Sequence, residues 1–334
     1  MPSSHGILAT VASLGDNERV SQMAFFLDAY GGDEGMEKNA GGTVTTQHIE
    51  AAFGTVGKQN APYRVWYPFL KRLFLAQAAA KERMHLPLTM PDRLAVQTRW
   101  EAGFPLLQRW EFPVDTGVAE SILQPMLDSV PEGNGPLRTA HAALTTALVK
   151  HVGERREIWA SFLHHELEPW EAWIDTSECG TAALIFWGRA CLRPSLEWTA
   201  ERLLEAHPLV DTWQQGYCPI CGSLPALLYL HEEGQRRGFC SWCATEWGMA
   251  RLQCPYCDNR DHETLGYLYA ESEPTYRIQY CQKCHMYFKQ VDQREQLDAL
   301  FLPLEEWTTL HLDYLAQKDG WQQPPSPSPA VYRG

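Results

Sequence analysis

Four Cys-x-x-Cys pairs follow one another in this chain: Cys218/Cys221, Cys240/Cys243, Cys254/Cys257 and Cys281/Cys284. Two residues between cysteines let both sulfurs converge on one ion from a tight turn. A second such turn, brought back by a hairpin, completes a tetrahedron of thiolates. The first two pairs are separated by 18 residues, the last two by 23, and the middle gap is 10. Short hairpins span either of the longer gaps, which favours local closure. Site one would then be Cys218, Cys221, Cys240 and Cys243, and site two Cys254, Cys257, Cys281 and Cys284. A nested arrangement, outer pairs with outer and inner with inner, is the alternative. Such turns often need a positive φ just after the second cysteine. Gly222 suits this and Asp258-Asn259 tolerates it, whereas Ala244 and His285 suit it less well and point to a different turn.

Four thiolates around a divalent ion leave a net charge of about −2, to be offset by amides and cations. Arg236, Arg237, Arg251, Arg277, Lys283 and Lys289 are near in sequence and are the candidates. Because all four ligands are protein sulfurs, no coordination position is left for a substrate, which disfavours hydrolytic chemistry. Four clustered pairs also exceed what thioredoxin-like exchange needs. The plain alternative is a folding staple, with metal replacing a core too small to stand alone and contributing on the order of 10 kcal/mol per site. His231, His262 and His285 lie among the cysteines, with surface positions as the default.

The rest of the chain is of another kind. None of its ten cysteines precedes Cys179, although it has 334 residues. Apolar residues make up 45% and aromatics 11%, enough for a sizeable core. The formal charge is −13 and mean hydropathy −0.34. Acidity of this size disfavours nonspecific binding to nucleic acid or anionic membrane and is compatible with a basic protein partner. No apolar run approaches the ~18 residues of a spanning helix. The first residues have neither a basic leader nor a long apolar stretch, so no secretory signal and a cytoplasmic location are expected. Thiols stay reduced there, which again favours metal over disulfides.

Helical periodicity dominates up to about residue 210. Val20, Met23, Ala24, Leu27 and Tyr30 form one stripe, and Trp66, Phe69, Leu70, Leu73 and Phe74 a clearer one. A third runs through Leu144, Leu148, Val152, Arg155, Trp159 and Phe162. Helices also fit 118–130, kinked at Pro125 and capped by Asp115, and 181–206, interrupted at Pro194. Residues 31–42 read as a loop. Cys179 and Cys191 read as core thiols, and His164-His165-Glu166 as a polar helix end. From Tyr217 the period changes: 224–230 with 236–240, and 265–270 with 275–281, read as two hairpins attached to the cysteine pairs. After Val291 helix returns, with Trp307, Leu310, His311, Tyr314 and Leu315 on one face, and the Pro/Ser-rich end reads as extended. No Walker loop, GxGxxG or GxSxG signature is present.

The ordered set CPICGSLP (218–225), FCSWCATEW (239–247), RLQCPYCDN (251–259), YCQKCHMYFK (280–289) and LEEWTTLHLDYLAQKDGW (304–321) resembles the formate dehydrogenase accessory protein family, FdhE. Before about residue 200 the likeness lies only in helical character, and the first 60 residues are atypical. Where the family usually shows paired Asp, this chain has Glu305-Glu306. The residue pattern reads as an α+β fold: an all-helical N-terminal domain (1–210), a tandem metal-binding domain of short β-hairpins (211–292), rubredoxin-like or zinc-ribbon in kind, a helical segment (293–321) and a disordered tail (322–334); the rubredoxin-like character is what the resemblance implies. It implies two metal ions, iron favoured and zinc not excluded, on Cys218, Cys221, Cys240, Cys243, Cys254, Cys257, Cys281 and Cys284. It also implies a cytoplasmic, non-enzymatic maturation factor that binds the catalytic subunit of respiratory formate dehydrogenase before export, without nucleic acid or membrane insertion. Trp247 and Glu246 would brace the second turn, with contact to the partner as the alternative. The rival readings are a rubredoxin-like electron carrier and, against the acidic charge, a zinc-ribbon nucleic-acid binder.

Overall fold

The structure, a computed structural model, describes residues 46–56, 63–164, 169–209, 213–231, 234–270, 273–292, 294 and 300–325. The stripe at 20–30 and the loop at 31–42 lie outside the described residues. Helices α1 (Thr46–Val56), α2 (Tyr67–Glu82), α3 (Arg93–Glu101), α4 (Thr116–Leu123), α5 (Gly135–Lys150), α6 (Arg155–Ser161) and α7 (Thr181–Ala206) form the N-terminal part. Their caps follow sequence: Asp92 accepts from Leu94 N, Asp115 from Val118 N and Asn134 from Leu137 N. Phe69, Leu70, Leu73 and Phe74 of α2 are all buried, as their spacing requires. Each such side chain contributes roughly 1.5–3 kcal/mol of apolar burial.

Three helical expectations change. α7 runs unbroken through Pro194. Proline removes one helical N–H and so leaves the carbonyl of Ala190 without its usual donor; the buried amide of Gln77 on α2 supplies it instead, Nε2 to O at 2.7 Å. The expected stripe at 144–162 breaks at His151, where φ −114° and ψ 55° leave the helical region, and Val152 is 63% exposed. The 118–130 segment is α4 followed by a 3-10 turn from Gln124, which accommodates Pro125.

Strands β1 (Leu227–Leu230), β2 (Arg236–Phe239), β3 (Glu246–Met249), β4 (Leu265–Tyr269), β5 (Tyr276–Cys281) and β6 (Tyr287–Asp292) follow. The expected hairpins are β1/β2 and β4/β5. Each gains a third antiparallel strand, β3 or β6, whose short runs carry little alternation in sequence. The two halves then join through β1 and β6 in parallel, with Tyr229 opposite Val291, so the order is β3-β2-β1-β6-β5-β4. Asp292 at the end of β6 is fully buried between Arg277 and Arg294. Arg236 on β2, only 2% exposed, ties the halves further by donating to the carbonyls of Ala250 and Gln253 and to Gln279 on β5.

Two short helices close the molecule, α8 (Leu302–Thr308) and α9 (Leu310–Lys318). The single apolar face expected here is divided at Thr309, whose hydroxyl donates to the Glu305 carbonyl at 2.6 Å, and Tyr314 is 43% exposed. Beyond α9 the chain is not free of the ribbon: Gln322 accepts from Tyr287 N and donates to His285 O. No helix among the described residues is long and apolar enough to cross a membrane.

Candidate metal centres

All ten cysteines are free thiols. Eight gather into two groups, Cys218, Cys221, Cys240 and Cys243 in cage one, and Cys254, Cys257, Cys281 and Cys284 in cage two. Pairing is therefore local, and the nested alternative falls away. Within each cage all the sulfurs lie within 4.8 Å of one another. Cys221–Cys240 and Cys218–Cys243 are separated by 3.5 and 3.6 Å, Cys254–Cys284 and Cys257–Cys281 by 3.6 and 3.7 Å. A tetrahedron with metal–sulfur bonds near 2.3 Å has an edge of about 3.8 Å, so the donor sets fit an ion of zinc or iron size. Both ions accept four sulfurs in this geometry.

The four turns are one structure repeated. In each, the first cysteine's N–H donates to the carbonyl five residues on: Ser223, Thr245, Asn259 and Met286. In each, the N–H four residues on returns to the first cysteine's carbonyl, from Gly222, Ala244, Asp258 and His285. The latter residues all take positive φ, at 72°, 56°, 56° and 60°. The expectation of a different turn at Ala244 and His285 is thus overturned. The two hydrogen bonds close the turn whatever the side chain, at a local cost of about 1–2 kcal/mol for a residue with a Cβ.

The cages differ in what surrounds them. Every cysteine of cage one is buried, none more than 6% exposed. Its first turn is covered by the segment after α3. Leu106 N and Leu107 N donate to Pro219 O and Ile220 O at 3.0 and 2.8 Å, and Trp100 Nε1 donates to Pro219 O. Over its second turn lies Trp242, with the Arg109 guanidinium 4.4 Å and that of Arg189 on α7 5.6 Å from the ring centroid. Arg109 also donates to Ser223, whose hydroxyl is 3.2 Å from Cys221 Sγ. Burial pulls the Arg109 pKa below the usual arginine range, and the four sulfurs of the cage oppose that shift. Trp247, fully buried, braces this side through its indole N–H to Gln215 O, and Glu246 accepts from Tyr229.

Among the described residues, cage two has no such roof. Cys254 and Cys281 are buried, while Cys257 and Cys284 are half-buried. Asn259 donates to Cys281 Sγ at 3.5 Å. On the side of the last turn Trp321 stacks on Tyr280 at 4.3 Å and on His285 at 6.0 Å. Gly216, just before the first turn of cage one, lies against the first turn of cage two, and a Cβ there would overlap the backbone of Pro255.

The cations expected from sequence mostly serve other groups. Lys289 pairs with Asp313, Arg277 with Asp292, Lys283 with Asp261, and Arg251 donates to Gly234 O. Arg236 is bound to carbonyls; burial pulls its pKa down to about 10, opposed by Tyr267 and then Cys254. Arg109 and Arg189, the cations beside cage one, were missed. Arg109 stands 114 residues from Ser223, and nothing in its local sequence marks it. His231, His262 and His285 belong to neither cage. Cys179 and Cys191 are buried away from both, and burial pushes their thiols up. His164 is exposed and stacks on Trp110; His165 and Glu166 lie outside the described residues.

A helical layer over a single sheet that carries two closed four-thiolate cages defines an α+β metal-ribbon protein. No family model matches the chain. It is 34% identical over 135 residues to the "Protein FdhE homolog" of Aquifex aeolicus, covering 39% of this chain and 46% of that one. With the "Protein FdhE homolog" of Stutzerimonas stutzeri it is 33% identical over 134 residues, 38% of this chain and 43% of that one. The matched region thus spans less than half the length of these relatives. The fold matches the crystal structure of the FdhE protein from Pseudomonas aeruginosa with a TM-score of 0.52 at 21% identity, covering 86% of this chain and 94% of that one. The sequence likeness to FdhE homologues covers about two fifths of this chain, and the structural match shows a shared fold.

Proposed function

We propose that this chain is a cytoplasmic accessory factor for respiratory formate dehydrogenase, a scaffold that binds the catalytic subunit before export. Cys218, Cys221, Cys240 and Cys243 hold one metal ion and Cys254, Cys257, Cys281 and Cys284 a second. The observation that carries this reading is the closure of both cages on one sheet, in a chain that resembles FdhE proteins. Four sulfurs occupy every tetrahedral position, so the ions stabilise and shape the protein and leave no site for a substrate. The acidic surface suits a basic segment of a client by electrostatic steering.

Co-purification from extract tests the client: the catalytic subunit should be retained on the tagged chain. Equal retention after all eight cysteines become serine would remove the ribbon from binding. Elemental analysis with an optical spectrum, on protein purified without air, tests the metal; a red protein with about two irons per chain is the outcome expected of rubredoxin-like sites. The half-buried sulfurs of cage two favour one second reading, single-electron transfer. A chain with no reversible redox couple would exclude it.

A further inference from the structure

We infer that the two cages divide their work: cage two is the site where a soft divalent ion such as zinc or iron(II) exchanges with the surroundings, and cage one holds its ion permanently. The inference rests on the metal-binding reading above and adds to it a difference between the sites. Exchange at a closed thiolate site requires an incoming ligand to reach the ion or a bound sulfur, so access sets its rate. At cage one that path is blocked on both turns. The 106–107 backbone and Trp100 cover Pro219 and Ile220, and Arg109 and Arg189 lie over Trp242. Opening cage one means detaching the helical layer from the ribbon.

At cage two each of the two turns presents one accessible sulfur, Cys257 from the first and Cys284 from the second. An incoming thiolate or chelator meets these without displacing a helix. The element that restrains the second turn is the strap after α9, where Trp321 lies on Tyr280 and His285, and Gln322 hydrogen bonds on either side of Met286. Trp321 is therefore a positioning residue. It touches no sulfur but holds the turn that carries Cys284.

The test loads the full chain with zinc, challenges it anaerobically with excess EDTA and counts retained zinc by native mass spectrometry over time. One zinc should leave at least tenfold faster than the other. Trp321→Ala should speed the fast loss severalfold and leave the slow one unchanged. Cys284→Ser should abolish the fast phase and retain one tightly held zinc. Should that variant not fold, iodoacetamide mapping of the wild-type chain after the fast phase decides the matter. Label at Cys254, Cys257, Cys281 and Cys284, with Cys218 to Cys243 protected, supports the assignment. Two zincs lost at one rate, or label appearing first in cage one, overturns the inference but leaves the metal reading standing. A chain that takes up no zinc and no iron overturns both.

Discussion

Around Cys218–Cys243 the thiolate turns lie under the helical layer, with Trp100, Arg109, Trp242 and Trp247 packed about them. Around Cys254–Cys284 the same turns leave two sulfurs half-buried. Backbone hydrogen bonds and positive-φ positions are repeated in all four turns, so the turn itself does not set the environment of the cage. What docks on the turn does. Cage one belongs to the same apolar core as α2, α5 and α7, through Cys218, Ile220, Cys240 and Trp242. Cage two belongs to a separate small cluster with Leu228 and Phe288. A metal in the first would stabilise the join between helices and ribbon, and a metal in the second would stabilise the small cluster around Leu228 and Phe288.

The largest expected effect separates these two roles. Cys240→Ser should remove a site worth on the order of 10 kcal/mol and abolish the cooperative unfolding of the whole chain. Cys284→Ser should cost one metal while preserving the near-ultraviolet circular dichroism of the tryptophans around cage one. Equal collapse in both would end the distinction. Arg109→Met comes next. It removes one of the two partners of the Ser223 hydroxyl and a cation from beside four sulfurs, a loss of about 3 kcal/mol, seen in denaturant unfolding. Zinc release from cage two should be unchanged.

A pH series sharpens the comparison from another direction. Burial lifts Glu305 to about 7, against the hydrogen bonds from Tyr276 and Thr308. Below the unfolded pKa of about 4.3 both states hold its proton, so ionisation imposes no penalty. As pH rises from there to the folded value the protein loses stability, by up to about 4 kcal/mol. Cage ligands behave oppositely, losing metal as acid protonates thiolate. Glu305→Gln should therefore flatten the unfolding free energy between about pH 4 and 7, the window set by those two values, and leave acid-induced metal release in place. The smallest effect is Gln77→Leu. It leaves the Ala190 carbonyl unpaired at the proline step of α7, next to Arg189, and should cost about 2 kcal/mol. Adding Pro194→Ala, which restores an N–H for that carbonyl, should recover most of it in a double-mutant cycle.

The cysteine spacing by itself determined the eight donors and favoured local closure, because two intervening residues bring both sulfurs of a pair to one turn; the tertiary structure decided which pairs share a cage. Periodicity determined the buried face of α2 and the hairpins β1/β2 and β4/β5, since apolar burial enforces those repeats locally. Contacts distant in the chain decided the rest. The β1–β6 parallel pairing, Gln77 beneath Pro194, and Arg109 over Trp242 each join residues from separate segments. None leaves a local pattern, because the partner that makes the residue necessary arrives only when the chain has folded. The same holds for the unequal cover on the cages: sequence specifies the sulfurs, and packing decides which of them meet solvent.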